Sequence, residues 1–263
     1  MHLCGYMTQV SISQLWSKAW DLFKSNWAVM VGLYLLPILF RLLISRLPLD
    51  TPSSGLLISE LFNSLILTPA FIRAGYLAAR QGQVSLIETF NSIPLLLKLF
   101  AYFLLLNLAP IILISVGAAM SWVSISEFFE DIESYSESGE KVDAEFILKK
   151  MNRIFTSPQF ILIVFGLILL LVLSFLGWAG PYAILSGRVE LMEAIPYSVS
   201  LTIRNFGNVL LAFLSYILLW ILGLLFCCVG PLVVIPMSYI FLPLLYMALD
   251  GDAVSTRYDL SGD

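Results

Sequence analysis

The sequence predicts an all-α, polytopic membrane protein with six transmembrane helices and interfacial amphipathic helices, arranged as three parallel helix-span-span repeats. Three observations carry that reading. Of 263 residues, 59% are hydrophobic and only 12% charged, where a soluble chain draws about 25% from Asp, Glu, Lys and Arg; the mean hydropathy is +0.92. Six stretches are apolar enough and long enough to cross a bilayer, and a short polar motif recurs ahead of the odd-numbered ones.

The first element is amphipathic. Ile12, Leu15, Trp16, Ala19, Trp20 and Phe23 repeat with helical spacing, while Ser13, Gln14, Ser17, Lys18, Asp21 and Lys24 occupy the opposite face. Trp16 and Trp20, with Lys18 and Lys24 opposite, are the expected interfacial anchors of a helix lying in the headgroup layer and entering the first span at Asn26. The alternative is that this helix packs on the end of the bundle.

A helix needs about 20 mainly apolar residues to cross ~30 Å of hydrocarbon. The spans are expected over Trp27–Ser45, Leu56–Ala79, Leu99–Trp122, Gln159–Ala179, Phe206–Cys228 and Pro231–Leu249, the fourth and fifth without a charge. Pro37, Pro69, Pro110, Pro236 and Pro243 fall inside spans. Membrane helices tolerate them when neighbours satisfy the freed carbonyls, so kinks rather than breaks are expected.

Gly82-Gln83-Val84-Ser85-Leu86-Ile87-Glu88 reappears as Gly187-Arg188-Val189-Glu190-Leu191-Met192-Glu193, and Val10-Ser11-Ile12-Ser13-Gln14 is a looser copy. The even spans end alike, at Tyr76, Tyr182 and Tyr246 shortly before Gly82, Gly187 and Gly251. The single integral membrane domain, 1–263, is therefore expected to hold repeat units over about 10–81, 82–187 and 188–250. Two spans per unit give all three copies one orientation. Placing both termini in the cytoplasm puts Lys18, Lys24, Arg73, Arg80, Lys98, Arg188, Arg204 and Arg257 inside, eight of the fourteen basic residues.

The one large polar insertion is expected as an acidic extramembrane loop over about 123–157. Between Glu127 and Glu145 it holds eight of the eighteen acids against Lys141 alone. Such composition reads as a solvated, partly disordered segment, the alternative being a cation or partner site. Phe146 to Phe155 can form a second short amphipathic helix before Ser157-Pro158 opens the fourth span.

Several chemistries are excluded at this level. The net charge is −4 with no basic run, so nucleic acid is not an expected partner. Cys4, Cys227 and Cys228 make neither a disulfide framework nor a metal quartet, and His2 is the only histidine. The first apolar run begins only at Trp27, so it is expected to be retained rather than cleaved as a signal peptide. No phosphate-cradling loop, midplane carboxylate pair or nucleophile beside a base is present; no catalytic, cofactor or metal residues are assigned, and the chain reads as a non-enzyme. Ionisable residues at bilayer depth mark function by default. Here they are Arg41, Glu60 and Arg73, and Arg41, Glu60 and Asn63 form the candidate intramembrane polar cluster. Arg41 and Glu60 lie near outer span ends, where an ion pair or snorkelling to water would satisfy them. Arg73 is expected to reach the headgroups, and Asn63 and Asn107 to hydrogen-bond between helices.

An interfacial helix before a span, an Asn at the span start as in Asn26 and Asn205, and apolar spans with internal prolines together resemble the YciC-like bacterial inner-membrane proteins. The pattern is also similar to the membrane domain fused to some glycerophosphodiester phosphodiesterases, whose acidic catalytic domain has no counterpart here. The resemblance implies a multi-pass protein of the cell inner membrane and carries over no active-site residue. Three readings follow: a non-enzymatic scaffold or lipid-interacting protein, with membrane lipids and a membrane protein as partners; a small-solute transporter or channel on parallel repeats; and, least favoured, a lipid-modifying enzyme.

Overall fold

The structure, a computed structural model, describes residues 11–46, 52–138, 144–225 and 229–250. Within them every regular element is a helix. Six helical stretches are long and apolar enough to cross a membrane: Ile12–Ile44, Ile58–Gln81, Ile93–Trp122, Pro158–Leu185, Phe206–Leu225 and Gly230–Asp250. The chain is a polytopic integral membrane protein.

Helix α1, Ile12–Ile44, starts at Ser11, whose side chain accepts from the Gln14 backbone N–H. Its 33 residues extend about 50 Å, longer than ~30 Å of hydrocarbon, so the amphipathic segment and the first span form one continuous helix. The helix runs on through Pro37.

The second span is interrupted. Helix α2, Pro52–Phe62, passes into a π turn over Asn63–Leu67 and then into α3, Thr68–Gln81. The Thr68 N–H reaches back five residues to the Asn63 carbonyl. Pro69 explains the widening: it has no N–H, and its ring would press on the carbonyl four residues earlier in a regular helix. The expected kink at Pro69 is thus a π turn just ahead of it, whereas α-helix continues through Pro37, Pro110, Pro236 and Pro243.

Helix α3 ends at Gly82 in the left-handed region, φ 82°. The turn is clamped from the first span. Asn26 donates from Nδ2 to the Gly82 carbonyl at 2.9 Å and accepts from the Val84 N–H at 2.8 Å. Helix α4, Leu86–Phe90, opens with a capping box of Ser85 and Glu88.

Helix α5 spans Ile93–Ser138, α6 Ala144–Phe155, α7 Pro158–Gly177, α8 Gly180–Leu185, α9 Leu191–Arg204, α10 Phe206–Leu225 and α11 Val229–Asp250. The turn before α9 repeats the geometry after α3. Gly187 has φ 72°, the Arg188 N–H bonds the Ala183 carbonyl, and Glu190 and Glu193 form a capping box. The buried face also recurs at one constant chain separation. Leu15, Ala19, Phe23, Met30 and Leu33 of α1 match Ala194, Ser198, Thr202, Val209 and Ala212 of α9 and α10, all buried. Asn26 matches Asn205 in the same register.

The chain divides into two compact units, Met1–Tyr102 with Trp178–Asp263, and Phe103–Gly177. The first is centred on α1, α3 and α11. Phe71 stacks on Tyr239 at 4.1 Å, and a Cβ on Gly75 would overlap the Tyr239 carbonyl, so α3 and α11 touch backbone to backbone. Within this unit the turn leading into α8 is pinned to α9: Trp178 Nε1–H donates to Thr202 Oγ1 at 3.0 Å, and Ala179 N–H to Ser198 Oγ at 3.0 Å.

The second unit holds a helical hairpin. Glycine on each side lets the helices meet, since a Cβ on Gly117 would lie 2.8 Å from Ile163 and one on Gly166 2.7 Å from Ile114. The segment expected as an acidic loop over 123–157 is instead helical through Ser138 and again over Ala144–Phe155; 139–143 lie outside the described residues. The reason is legible in the sequence: Ile125, Phe128, Phe129, Ile132 and Tyr135 keep helical spacing among the acids. The amphipathic helix expected over Phe146–Phe155 is α6, closed by Phe155 packing edge-on to Phe160 at 5.0 Å.

Candidate functional site

The first unit contains a partly open cleft of about 280 Å3 where α1, the π turn, α3 and α11 meet. Helix α1 contributes Leu33, Tyr34, Pro37 and Ile38; the interrupted second span contributes Asn63, Leu67, Thr68 and Phe71; α11 contributes Ile235 and Tyr239. These positions fall in the later part of Ile12–Ile44 and the first halves of Ile58–Gln81 and Gly230–Asp250, so the cleft lies inside the apolar spans, toward the end of the fold where α1 finishes and the second and sixth spans begin. Its walls are aliphatic and aromatic, and its polar groups are two phenols, an amide and a hydroxyl, with no ionisable carboxylate or cation among them. The π turn swings Asn63 toward α1 while its carbonyl stays bonded to Thr68.

The expected polar cluster is divided by the structure. Asn63 lines the cleft, but Arg41 and Glu60 are exposed and line no part of it, and among the described residues no ion pair or hydrogen bond joins the three. The long side chains of Arg41 and Glu60 turn outward, where they need no partner inside the protein. Arg73, expected at the headgroups, donates from Nη1 to the Thr89 carbonyl at 3.2 Å and so covers the C-terminal end of α4. Asn107, expected to bond across helices, donates to Phe103 on its own helix at 2.9 Å.

The two tryptophan anchors part company. Trp16 stacks flat on Phe241 at 3.8 Å and its indole N–H donates to Ser215 Oγ at 2.9 Å, so it packs inward against α10 and α11. Trp20 is exposed, with the Lys24 ammonium 5.8 Å from its ring centre and Lys24 paired to Asp21 at 2.8 Å. Lys18 is half-buried. Trp16 therefore follows the packed alternative, because a hydroxyl on α10 gives its N–H a partner inside the protein.

A second polar assembly lies where α11 ends. Asp250, its side chain 4% exposed, pairs with Arg188 and accepts from the Tyr197 hydroxyl; the Arg188 guanidinium lies 5.8 Å over the Tyr197 ring. Tyr246 and Ser186 share a hydrogen bond of 3.2 Å beside it. Burial, then the bond to the Asp250 carboxylate, pushes the Tyr197 phenol up to about 12. This network ties the Gly187 turn, α9 and the last residue of α11 together, a fastening role.

Sequence reasoning missed Tyr34, Thr68, Tyr239, Tyr197 and Asp250. The available signal was hydroxyl-bearing residues beside prolines within spans, Tyr34 before Pro37 and Thr68 before Pro69. No protein-family model matches the chain, and no curated protein and no solved structure is similar to it at a significant level.

Proposed function

We propose that this integral membrane protein is a non-enzymatic, lipid-interacting scaffold of a bacterial inner membrane, built on three parallel helix-span-span repeats with both termini in the cytoplasm. One observation carries the reading. Ile87 and Met192, each the second residue of a short capped helix after a left-handed glycine, are turned outward, 82% and 75% exposed. Large apolar side chains flanked by Glu88 and Glu193 and backed by Arg80 and Arg188 suit the headgroup layer, where apolar tips enter the acyl boundary and charges stay wet. The recurring capped turns and the matched buried faces of α1 and α9–α10 support the repeat. The resemblance to YciC-like proteins supports the inner-membrane location.

The test is nitroxide labelling at positions 87 and 192 in phospholipid vesicles, read by collision depth. Both labels are expected at headgroup depth on the same leaflet. A label freely in water, or the two on opposite leaflets, overturns the reading. A small-solute transporter is the second reading, favoured by the discontinuity of the second span at Asn63–Leu67. Solute flux in proteoliposomes that changes on Asn63→Leu, at that discontinuity, would favour it over the scaffold.

A further inference from the structure

We propose that the cleft between α1, the π turn, α3 and α11 binds a neutral, lipid-soluble molecule whose head carries a hydroxyl or carbonyl group and whose hydrocarbon chain runs out into the bilayer. The inference stands on the cleft alone and does not depend on the scaffold reading.

Four of the residues lining the cleft carry polar side chains: Tyr34, Asn63, Thr68 and Tyr239. None of them makes a side-chain hydrogen bond within the described residues. At this depth water is scarce, so polar groups left without partners are costly and their pairing is an available source of binding energy. Together they offer hydroxyl and amide donors as well as an amide acceptor, which suits an alcohol or a carbonyl.

Charge and size narrow the ligand. No ionised group lines the cleft, so a carboxylate, phosphate or ammonium would enter unpaired, at a desolvation cost nothing in the site offsets. The volume of about 280 Å3 is just under the ~300 Å3 lower bound of ligand pockets. That space suits a small head, not a whole lipid, and the open side leaves the chain in the bilayer. Depth argues the same way. Phospholipid headgroups stay about 15 Å from the centre of a ~30 Å hydrocarbon layer, whereas a neutral long-chain alcohol or ketone can sink below them to the level of Asn63 and Thr68. The π turn presents Asn63 and Thr68 to the cleft, and such interruptions of a helix recur at functional sites.

The experiment is photolabelling of the full chain in vesicles of phosphatidylethanolamine and phosphatidylglycerol. Three probes carry a diazirine at the same carbon of the same chain: a long-chain alcohol, the matching alkane and the matching carboxylate. The alcohol is expected to label the cleft segments, residues 33–38, 63–71 and 235–239, at least about fivefold over either control, the factor of one hydrogen bond. Tyr34→Phe, Thr68→Val and Asn63→Leu should each lower that labelling roughly fivefold. The first two are conservative replacements, and each variant is compared only when it elutes monodisperse. Equal labelling by the alkane would show a crevice filled by any chain and overturn the proposal. Equal labelling by the carboxylate would overturn the neutral head. So would label spread evenly over the six spans, or full labelling retained in folded variants.

Discussion

Pro158–Leu185 is the most apolar of the six spans and the least buried, with 11% of its most apolar 18 residues inside the protein; Ile58–Gln81 is the least apolar and is 50% buried. In water the order would be reversed. In lipid, where tails are as apolar as leucine, apolar character marks the surface, and helices associate through close backbone approach and hydrogen bonds. The second span accordingly buries Ala70, Ala74, Gly75, Ala78 and Ala79. The contrast extends to polar groups. In the unit around α1, α3 and α11, buried Asn26, Ser198 and Thr202 are hydrogen-bonded. Among the described residues, the buried side-chain atoms without partners, Asn107 Oδ1, Ser121 Oγ and Gln159 Oε1, all belong to Phe103–Gly177.

The sharpest way to break this comparison is at glycine. Gly75→Leu drives a side chain into the Tyr239 backbone, whereas Gly32→Leu enters open space. Overpacking costs about 1–3 kcal/mol, and more where backbone must move. Folded yield, read by size-exclusion chromatography of fluorescent fusions, should fall roughly tenfold or more for the first and hold for the second.

Asparagine gives the next effect. Asn26→Leu strands the buried Val84 N–H and should lower resistance to denaturant by about 1–3 kcal/mol. Asn205→Leu loses only a bond to Leu201 on the preceding turn and should cost roughly 0.5 kcal/mol. Denaturant titration of the two variants side by side decides the matter; equal losses would mean the Gly82 clamp adds nothing.

In the hairpin the sign should reverse. Ser121→Ala deletes a buried hydroxyl that has no partner, so unfolding of the isolated-site variant should be unchanged or harder by up to about 1 kcal/mol. A clear loss of stability would show that the hydroxyl is satisfied after all.

The smallest effect is a pH dependence confined to the unit that holds Asp250. The Tyr197 phenol is raised to about 12 in the fold, against an ordinary value near 10. Its contribution is therefore fully present below pH about 10 and is lost as pH climbs toward about 12. Thermal unfolding should be flat from neutral to mildly alkaline pH and then fall, and Tyr197→Phe should make that alkaline slope shallower while lowering the neutral plateau slightly.

The spans were legible because length and apolarity are one-dimensional properties: Phe206 and Pro158 start helices within a residue of where the sequence puts them. Facing was not legible. A uniformly apolar helix such as α7 carries no phase, and Trp16 and Trp20 read alike until Ser215 and Phe241, about two hundred residues or more away, claim one of them. The cleft was unreadable for the same reason, since Tyr34 and Tyr239 meet only after folding. The acidic segment misled because charge density outweighed the helical spacing of Phe128, Phe129 and Ile132. Glu60 and Arg41 drew attention as charges, while the groups that share a cavity are neutral.

The Asn26 clamp bears on how the chain enters the membrane. The amide sits on a helix made first, and the turn it grips is made more than fifty residues later, at Gly82 and Val84. When that turn leaves the ribosome its docking post already stands, so the second span can be fastened to the first before any later span exists. The pair of α1 and α3 can therefore be fastened before α11, which packs on both, has been made.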